Sequence, residues 1–329
     1  MDRKGKIRDQ ICDYAKELDF DLVGFAKAGI DRKNITAYKK WLRRGFNAKM
    51  SYLSEKEKIE KRANIEKILP GAKSAVVLGM NYYRPQKPLK KGFGRVARYA
   101  FGRDYHKIIW KKLAEFEDFI RKISKENFPN KQIETKSYID TGPVLERALA
   151  VEAGLGVIGK NSNIITKEFG SWVFLAEIIT NLDLYATSQK TSEPSTKAPF
   201  SACGKCERCI RACPTKAIIA PGVIDARKCI AYLTIENKGE IPEKYARKIA
   251  ETKRIFGCDI CQEVCPHNFS RQKPTTHQEL TKPEIAGDQI ELKKILKIKT
   301  DEEFLRFFAG SALMRAKKTG LIRNVKAII

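Results

Sequence analysis

Nine cysteines lie in this 329-residue chain, and eight of them crowd between positions 203 and 265. The run CGKCERCIRACP begins at Cys203. Its Cys-x2-Cys-x2-Cys-x3-Cys-Pro spacing lets one tight loop offer three thiolates to a cubane iron–sulfur cluster, while the fourth, before the proline, turns to a second cluster. A second run, CDICQEVCP, supplies Cys258, Cys261 and Cys265 and again ends on proline. Applying the crossing rule in both directions groups Cys203, Cys206 and Cys209 with Cys265, and Cys258 and Cys261 with Cys213. The second group lacks one ligand, and only Cys229 and Cys12 remain. Cys229 lies inside the cysteine-rich region and completes the set, with an insertion between it and Cys258. Cys12 sits beside Ile11 and Ala15 in an amphipathic stretch and reads as a small core residue. Zinc also favours Cys-x2-Cys pairs, but separate tetrahedral sites do not account for two close-spaced runs, of four and three cysteines, that each end in Cys-Pro. Disulfides have no support, since nothing marks the chain as secreted. The chemistry implied is one-electron transfer through two 4Fe-4S clusters.

Composition narrows the setting. The start, MDRKGKIRDQ, is charged and contains no secretory apolar region. The best apolar runs, SAVVLGM and WVFLAEIIT, are strand-sized and far too short to span a bilayer. A cytoplasmic protein with no membrane partner is expected, and a monomer. The 64 basic and 39 acidic residues give a net charge of +25. Such an excess favours a polyanionic partner, with nucleic acid the leading class because each neutralised phosphate releases counterions. A lysine-rich proteome is the alternative source of the charge. A basic stretch interleaved with aromatics, RPQKPLKKGFGRVARYAFGRDYHK, runs over 84–107.

The elements that must position this chemistry read as α+β. Helical periodicity over 6–18, 35–44 and 107–125 alternates with apolar strands at 22–26, 74–80 and 172–179. In KSYIDTGPVLERALAVEAGLG a short strand ends at Asp140, Thr141-Gly142 turns the chain, and Pro143 is expected at the first turn of a helix that stops at Gly154. The Ser/Thr/Pro-rich segment 187–199 reads as a linker into the cysteine region, and 272–288 as its counterpart on the far side. A capping box, Thr300 to Glu303, opens a C-terminal helical tail. Three domains are expected: 1–186 catalytic, 187–275 ferredoxin-like, and 276–329 a helical segment.

Electrons delivered by the clusters need an acceptor in the first domain. No Gly-x-Gly-x-x-Gly follows a strand, since GLGVIG comes after a helix, and no Walker loop is present. The acceptor is expected to be a bound cofactor. Asp140, at a strand end before a helix, is the most suggestive residue. A helix N-terminus favours its ionised form, burial its neutral form, and an N-cap or turn role stands beside a chemical one. His106 reads as an ordinary residue before a ligand or a proton donor.

LPGAKS, RYAFGRDYHK, IDTGPVLERALA, GLGVIGKNSN, GSWVFLAE and the eight-cysteine pattern, taken in order, resemble the epoxyqueuosine reductase family over nearly the whole chain. The resemblance implies a nitroreductase-like cobalamin-binding fold joined to the two-cluster domain, and removal of the epoxide oxygen of epoxyqueuosine at the wobble position of a tRNA anticodon. It implies Asp140 as proton donor. It also implies a cobalamin pocket involving Arg62, His106, Asp140, Lys160, Asn163, Ile164, Leu175, Ala231 and Asp259, with Thr234 by the cofactor and RNA. Asp140 would then be kept protonated by a desolvated pocket. The basic stretch, with Lys90, Lys91 and Arg95, would grip the anticodon stem-loop, and an external donor such as flavodoxin or ferredoxin would supply electrons. Family members often carry longer C-terminal helical repeats, which residues 276–329 do not provide. Other readings are a reductive dehalogenase-like enzyme, for which no twin-arginine leader is seen, and a ferredoxin-type carrier.

Overall fold

The computed structural model describes residues 3–185, 200–283 and 285–329. The linker expected at 187–199 lies outside the described residues. The first half contains, in order, α1 (Arg3–Glu17), β1 (Leu22–Lys27), α2 (Arg32–Arg43), α3 (Lys56–Ala63), β2 (Ser74–Asn81), β3 (Phe93–Val96), α4 (Tyr105–Asn127), β4 (Thr135–Tyr138), α5 (Glu146–Glu152), β5 (Gly156–Ile158), β6 (Ile164–Thr166) and β7 (Val173–Thr180). Strands β1, β2, β7 and β4 form an antiparallel sheet in that order.

The two central strands are buried at every position because helices cover both faces. Val76, Leu78, Met80, Phe174, Ala176 and Ile178 pack with Ile7 and Ile11 of α1 and Ile109, Leu113 and Phe116 of α4. The alternate residues Ala75, Val77, Val173, Leu175 and Ile179 pack with Leu149 and Ala150 of α5. Continuous apolar runs are what strands buried on both faces require. Glu177 alone breaks the run.

Helix α5 starts at Glu146, not at Pro143. The Arg62 guanidinium donates to the Gly142 carbonyl at 3.4 Å. The Tyr138 ring lies so close that a Cβ on Gly142 would meet it at 2.5 Å. These contacts hold residues 140–144 as a turn over the sheet. Asp140 therefore lies six positions ahead of α5 and not in its first turn.

The cysteine region comprises α6 (Arg208–Ala212), β8 (Ile218–Ala220), β9 (Val223–Ile224), α7 (Ile230–Ile235), α8 (Glu243–Thr252), β10 (Arg254–Phe256), α9 (Ile260–Glu263) and α10 (Pro266–Phe269). The chain ends with β11 (Gln289–Glu291), α11 (Leu292–Leu296), α12 (Asp301–Phe308) and α13 (Lys317–Lys326). The capping box between Thr300 and Glu303 is formed.

The C-terminal segment is not an appended tail. Strand β3 pairs with both β10 and β11, so one small sheet draws a strand from each of the three expected domains. Val96, Leu233, Phe256, Leu292, Phe308 and Leu321 share a single core. Asn324, fully buried, donates to the Thr234 and Ile255 carbonyls. Arg323 caps the Leu233, Asn237 and Gly239 carbonyls. The insertion between Cys229 and Cys258 is thus clamped by the chain's end.

Candidate active site

The first cysteine loop closes on itself. Cys203, Cys206, Cys209 and Cys265 line one cavity, with Lys160 and His267 at its edge. Gly204, at φ 47°, takes a left-handed conformation that a residue with a Cβ resists. The main-chain N–H of Lys160 points at Cys203 Sγ at 3.4 Å, and its ammonium donates to the Gly204 carbonyl at 2.8 Å. Helix α6 then carries Cys213 away to the other group. The Cys229 thiol senses Cys213, and Cys261 senses Cys258 and Cys229. The cavity brings together Cys203, Cys206, Cys209 and Cys265, the set that the spacing groups. Burial first, then neighbouring sulfurs, raise the Cys209 thiol to about 11. Burial carries Cys258 to about 12 against the pull of Arg254. Thiolates in such places need cationic partners, as iron provides. Among the described residues no three Cys, His, Asp or Glu side chains converge tightly enough for a single ion. Cys12 packs against the α1–α4 core as expected.

The second focus is Asp140. Its φ of 53° is left-handed, an uncommon conformation for a non-glycine residue. The turn projects the carboxylate outward, 58% exposed, toward His106 at the start of α4. His106 Nε2 lies 3.3 Å from Asp140, and Nδ1 lies 2.8 Å from Asp104, the α4 N-cap. Burial pulls the imidazole down, but hydrogen bonds to the two carboxylates win and carry it up to about 9. At neutral pH it is a cation. The expectation of a desolvated Asp140 is corrected: the carboxylate is open to solvent and faces His106. Beneath the turn, Asp140 N–H donates to the Glu146 carboxylate.

Other expected site residues divide. Arg62 underpins the turn and faces the Tyr38 ring at 5.6 Å. Asn163 closes the β5–β6 hairpin through its carbonyl, and Ile164 and Leu175 are buried on the α5 side of the sheet. Ala231 is half-buried on α7. Asp259, 2% exposed, is occupied by Arg98, accepting from its backbone N–H at 2.8 Å and its guanidinium at 3.2 Å. Thr234 is corrected. It is fully buried, its hydroxyl bridging the Ile230 carbonyl and the Gly257 N–H, so it cannot touch RNA. Arg95 is corrected too. It is ion-paired with Asp288, donates to the Lys87 carbonyl and is only 14% exposed, so its charge is taken up within the fold. Lys90 and Lys91 remain exposed. The other two histidines are engaged, His267 with the Ala202 carbonyl and His277 with Asp21.

The two foci are neighbours. The buried phenol of Tyr99 is raised well above its usual range by burial, then by Asp140 and Asp259, and its ring packs against Gly257. Gly257, beside Cys258, allows this approach. A Cβ there would meet Ala97 at 2.6 Å and the Tyr99 ring at 3.3 Å.

Comparison with known proteins adds the following. Residues 202–268 match the 4Fe-4S double cluster binding domain, and residues 62–141 match the family model described as epoxyqueuosine reductase QueG, DUF1730. The epoxyqueuosine reductase of Gloeobacter violaceus is 38% identical over 97% of this chain and 95% of its own length. That of Cellulophaga algicola is 38% identical over 99% of each. The chain belongs to the epoxyqueuosine reductase family. It is therefore an oxidoreductase, and its cysteine region is a double 4Fe-4S domain. Among solved structures, an epoxyqueuosine reductase with an epoxyqueuosine-modified tRNA-Tyr stem loop matches at TM-score 0.84 and 31% identity, covering 99% of this chain and 81% of that one. The Bacillus subtilis epoxyqueuosine reductase, seen with an aspartate-bearing catalytic loop swung out of the active site, matches at TM-score 0.85 and 31% identity over 99% of this chain and 82% of its own. No helix among the described residues is long and apolar enough to cross a membrane.

Sequence reasoning missed Asp104, Glu146 and Glu177. Glu177 carried a signal, the lone charge in the apolar run WVFLAEIIT. The other two had none, since an N-cap and a first-turn glutamate are ordinary in helices.

Proposed function

We propose that this family member removes the epoxide oxygen of epoxyqueuosine in a tRNA anticodon stem-loop, using cobalamin and two 4Fe-4S clusters. The observation that carries the reading is the exposed His106–Asp140 pair in a chain that also carries the double 4Fe-4S domain. The clusters would take Cys203, Cys206, Cys209 and Cys265, and Cys213, Cys229, Cys258 and Cys261, receiving electrons from a flavodoxin- or ferredoxin-like donor in the cytoplasm.

The surroundings of Asp140 fit a corrinoid: its open carboxylate and the Tyr52 phenol that feels it suit an amide-rich rim. Asp140, Asn163, Lys160 and Ala231 are the residues to hold it, Arg62 by fixing the turn. Bound there, it supplies a metal reductant for the epoxide carbon. Deoxygenation takes two electrons and two protons: both C–O bonds break, the ring C=C forms, and the oxygen leaves as water. The carboxyl of Asp140 gives a proton to that oxygen, and His106 restores it. A positioned acid contributes about 10²–10⁴-fold. Asp104 keeps the imidazole charged and turned toward Asp140. Lys90 and Lys91 contact phosphate.

The test is to incubate reduced protein, with and without cobalamin, with epoxyqueuosine-bearing stem-loop RNA and weigh the nucleosides by mass spectrometry. Loss of one oxygen only with cobalamin supports the reading. Unchanged RNA in both samples refutes it.

A further inference from the structure

Electrons bound for the epoxide must enter the protein at a cluster, and the two cysteine groups differ in what surrounds them. None of the residues adjoining Cys213, Cys229, Cys258 and Cys261 along the chain is exposed, and four of them, Ile230, Gly257, Asp259 and Gln262, are buried. Around Cys203, Cys206 and Cys209 the reverse holds: Ala202, Gly204, Lys205, Glu207 and Arg208 are all exposed. The first group lies at the surface and the second in the interior. The surface group is the way in.

Hydrogen bonds knit the surroundings of that entry into one face. The His267 ring bonds to the Ala202 carbonyl at 2.8 Å, which seats α10 against the first cysteine loop. Lys160 holds the other side of the loop through the Gly204 carbonyl. Arg271, just past α10, donates to the His267 and Lys167 carbonyls and so ties in the turn after β6.

The face is basic and carries an aromatic ring. Between Cys203 and Cys213, Lys205, Arg208 and Arg211 are exposed against one acid, Glu207, and none of the three forms an ion pair among the described residues. Phe269, on α10 four positions after Cys265, is 54% exposed, more than any other aromatic ring among the described residues. A lone exposed ring means little by itself. Here it stands beside the electron entry within a charged rim, the pattern of a protein interface with an apolar contact at its centre. RNA also seeks basic surface, but it has no chemical need of the outer cluster, whereas a carrier has no other entry.

We infer that this face docks a small, acidic single-electron carrier protein, with Lys205, Arg208 and Arg211 drawing it in and Phe269 meeting its surface. Each encounter oxidises the carrier by one electron and reduces the Cys203-group cluster by one. No bond is made or broken, and two encounters supply the two electrons of one deoxygenation. Steering between opposite charges raises association rates by about 10–10³-fold and fades with salt. Redox encounters bury little area, so a few charges and one ring suffice. The inference rests on the reading of the clusters as fed by an external carrier.

The test uses the full, cluster-loaded chain and, as the probe, an acidic flavodoxin in its hydroquinone form. Stopped-flow absorbance follows cluster reduction at rising salt in the parent, K205E/R208E/R211E, F269A and K111E/K122E/K125E. The last reverses three exposed charges on α4 and makes the same change in net charge. The expected result at low salt is a bimolecular rate at least about tenfold lower in K205E/R208E/R211E, with most of its salt dependence gone. F269A should show a smaller loss that salt does not change, and the α4 variant the parental rate. Iron content, reduction by dithionite and stem-loop affinity stay parental in K205E/R208E/R211E and F269A. A parental rate in K205E/R208E/R211E overturns the docking face, and an equal loss in the α4 variant does so by making the effect one of net charge. Lost stem-loop affinity at a parental carrier rate gives the face to RNA and overturns it too. A parent that dithionite reduces and the flavodoxin does not overturns the carrier reading together with the face. Cluster reduction is read without cobalamin or RNA, so a failure of epoxide reduction is seen separately.

Discussion

Replacing Asp104 by Asn isolates the electrostatics of the acid pair without altering His106 or Asp140. Asn caps a helix about as well as Asp, so α4 should persist. His106 rises from 6.5 to about 9 because two carboxylates, at 2.8 and 3.3 Å, outweigh its burial. At about 1.4 kcal/mol per pH unit this rise corresponds to about 3.4 kcal/mol. Asp140 is 58% exposed, so water screens much of its share, and about 1–2 kcal/mol is a fairer total. The larger part belongs to Asp104, which is nearer and less exposed. D104N should therefore lower the His106 pKa by about one unit. The sign for stability follows. A folded pKa above the unfolded one stabilises fully below 6.5, and the contribution fades as pH climbs through about 9. In D104N it fades about one unit earlier. Nitrogen NMR of the three histidine rings, with H106N to assign the signal, reads the pKa directly. A His106 that titrates near 6.5 in the parent, or does not move in D104N, refutes the reasoning.

T234V should cost about 1–3 kcal/mol in urea unfolding, because the Gly257 N–H loses its acceptor, while stem-loop affinity stays parental. R98M should cost about 3–5 kcal/mol by stranding the buried Asp259 carboxylate, and adding D259N should recover part of it; equal stability of R98M and parent would contradict the pairing. The double variant K90A/K91A should bind the stem-loop more weakly, with a salt dependence shallower by about one per lost phosphate contact. R95M should instead lower stability, and a larger RNA defect there than in K90A/K91A would reverse the assignment.

The cysteine groups were legible in the sequence because cluster ligation is written in local spacing. Even Cys229, a single residue away from both runs, could be reached by counting. The main sheet was legible because doubly buried strands demand unbroken apolar runs. The acid site was half legible. Asp140 stood out, but its pairing with His106 spans 34 residues and depends on a left-handed turn fixed by Arg62 and Tyr138, neither visible in spacing. Arg95 and Thr234 were misread for a related reason. A basic, aromatic stretch looks the same whether it faces phosphate or forms a strand, and Asp288, which neutralises Arg95, lies 193 positions away. The C-terminal segment appeared separate because its core partners come from the cysteine insertion.

D140N tests the central claim most directly, since it keeps the turn's shape while removing the only exposed carboxyl that His106 addresses. Reduced, cobalamin-loaded D140N should retain parental iron content and stem-loop affinity, yet convert epoxyqueuosine at least about a hundredfold more slowly. Conversion at the parental rate would contradict the account.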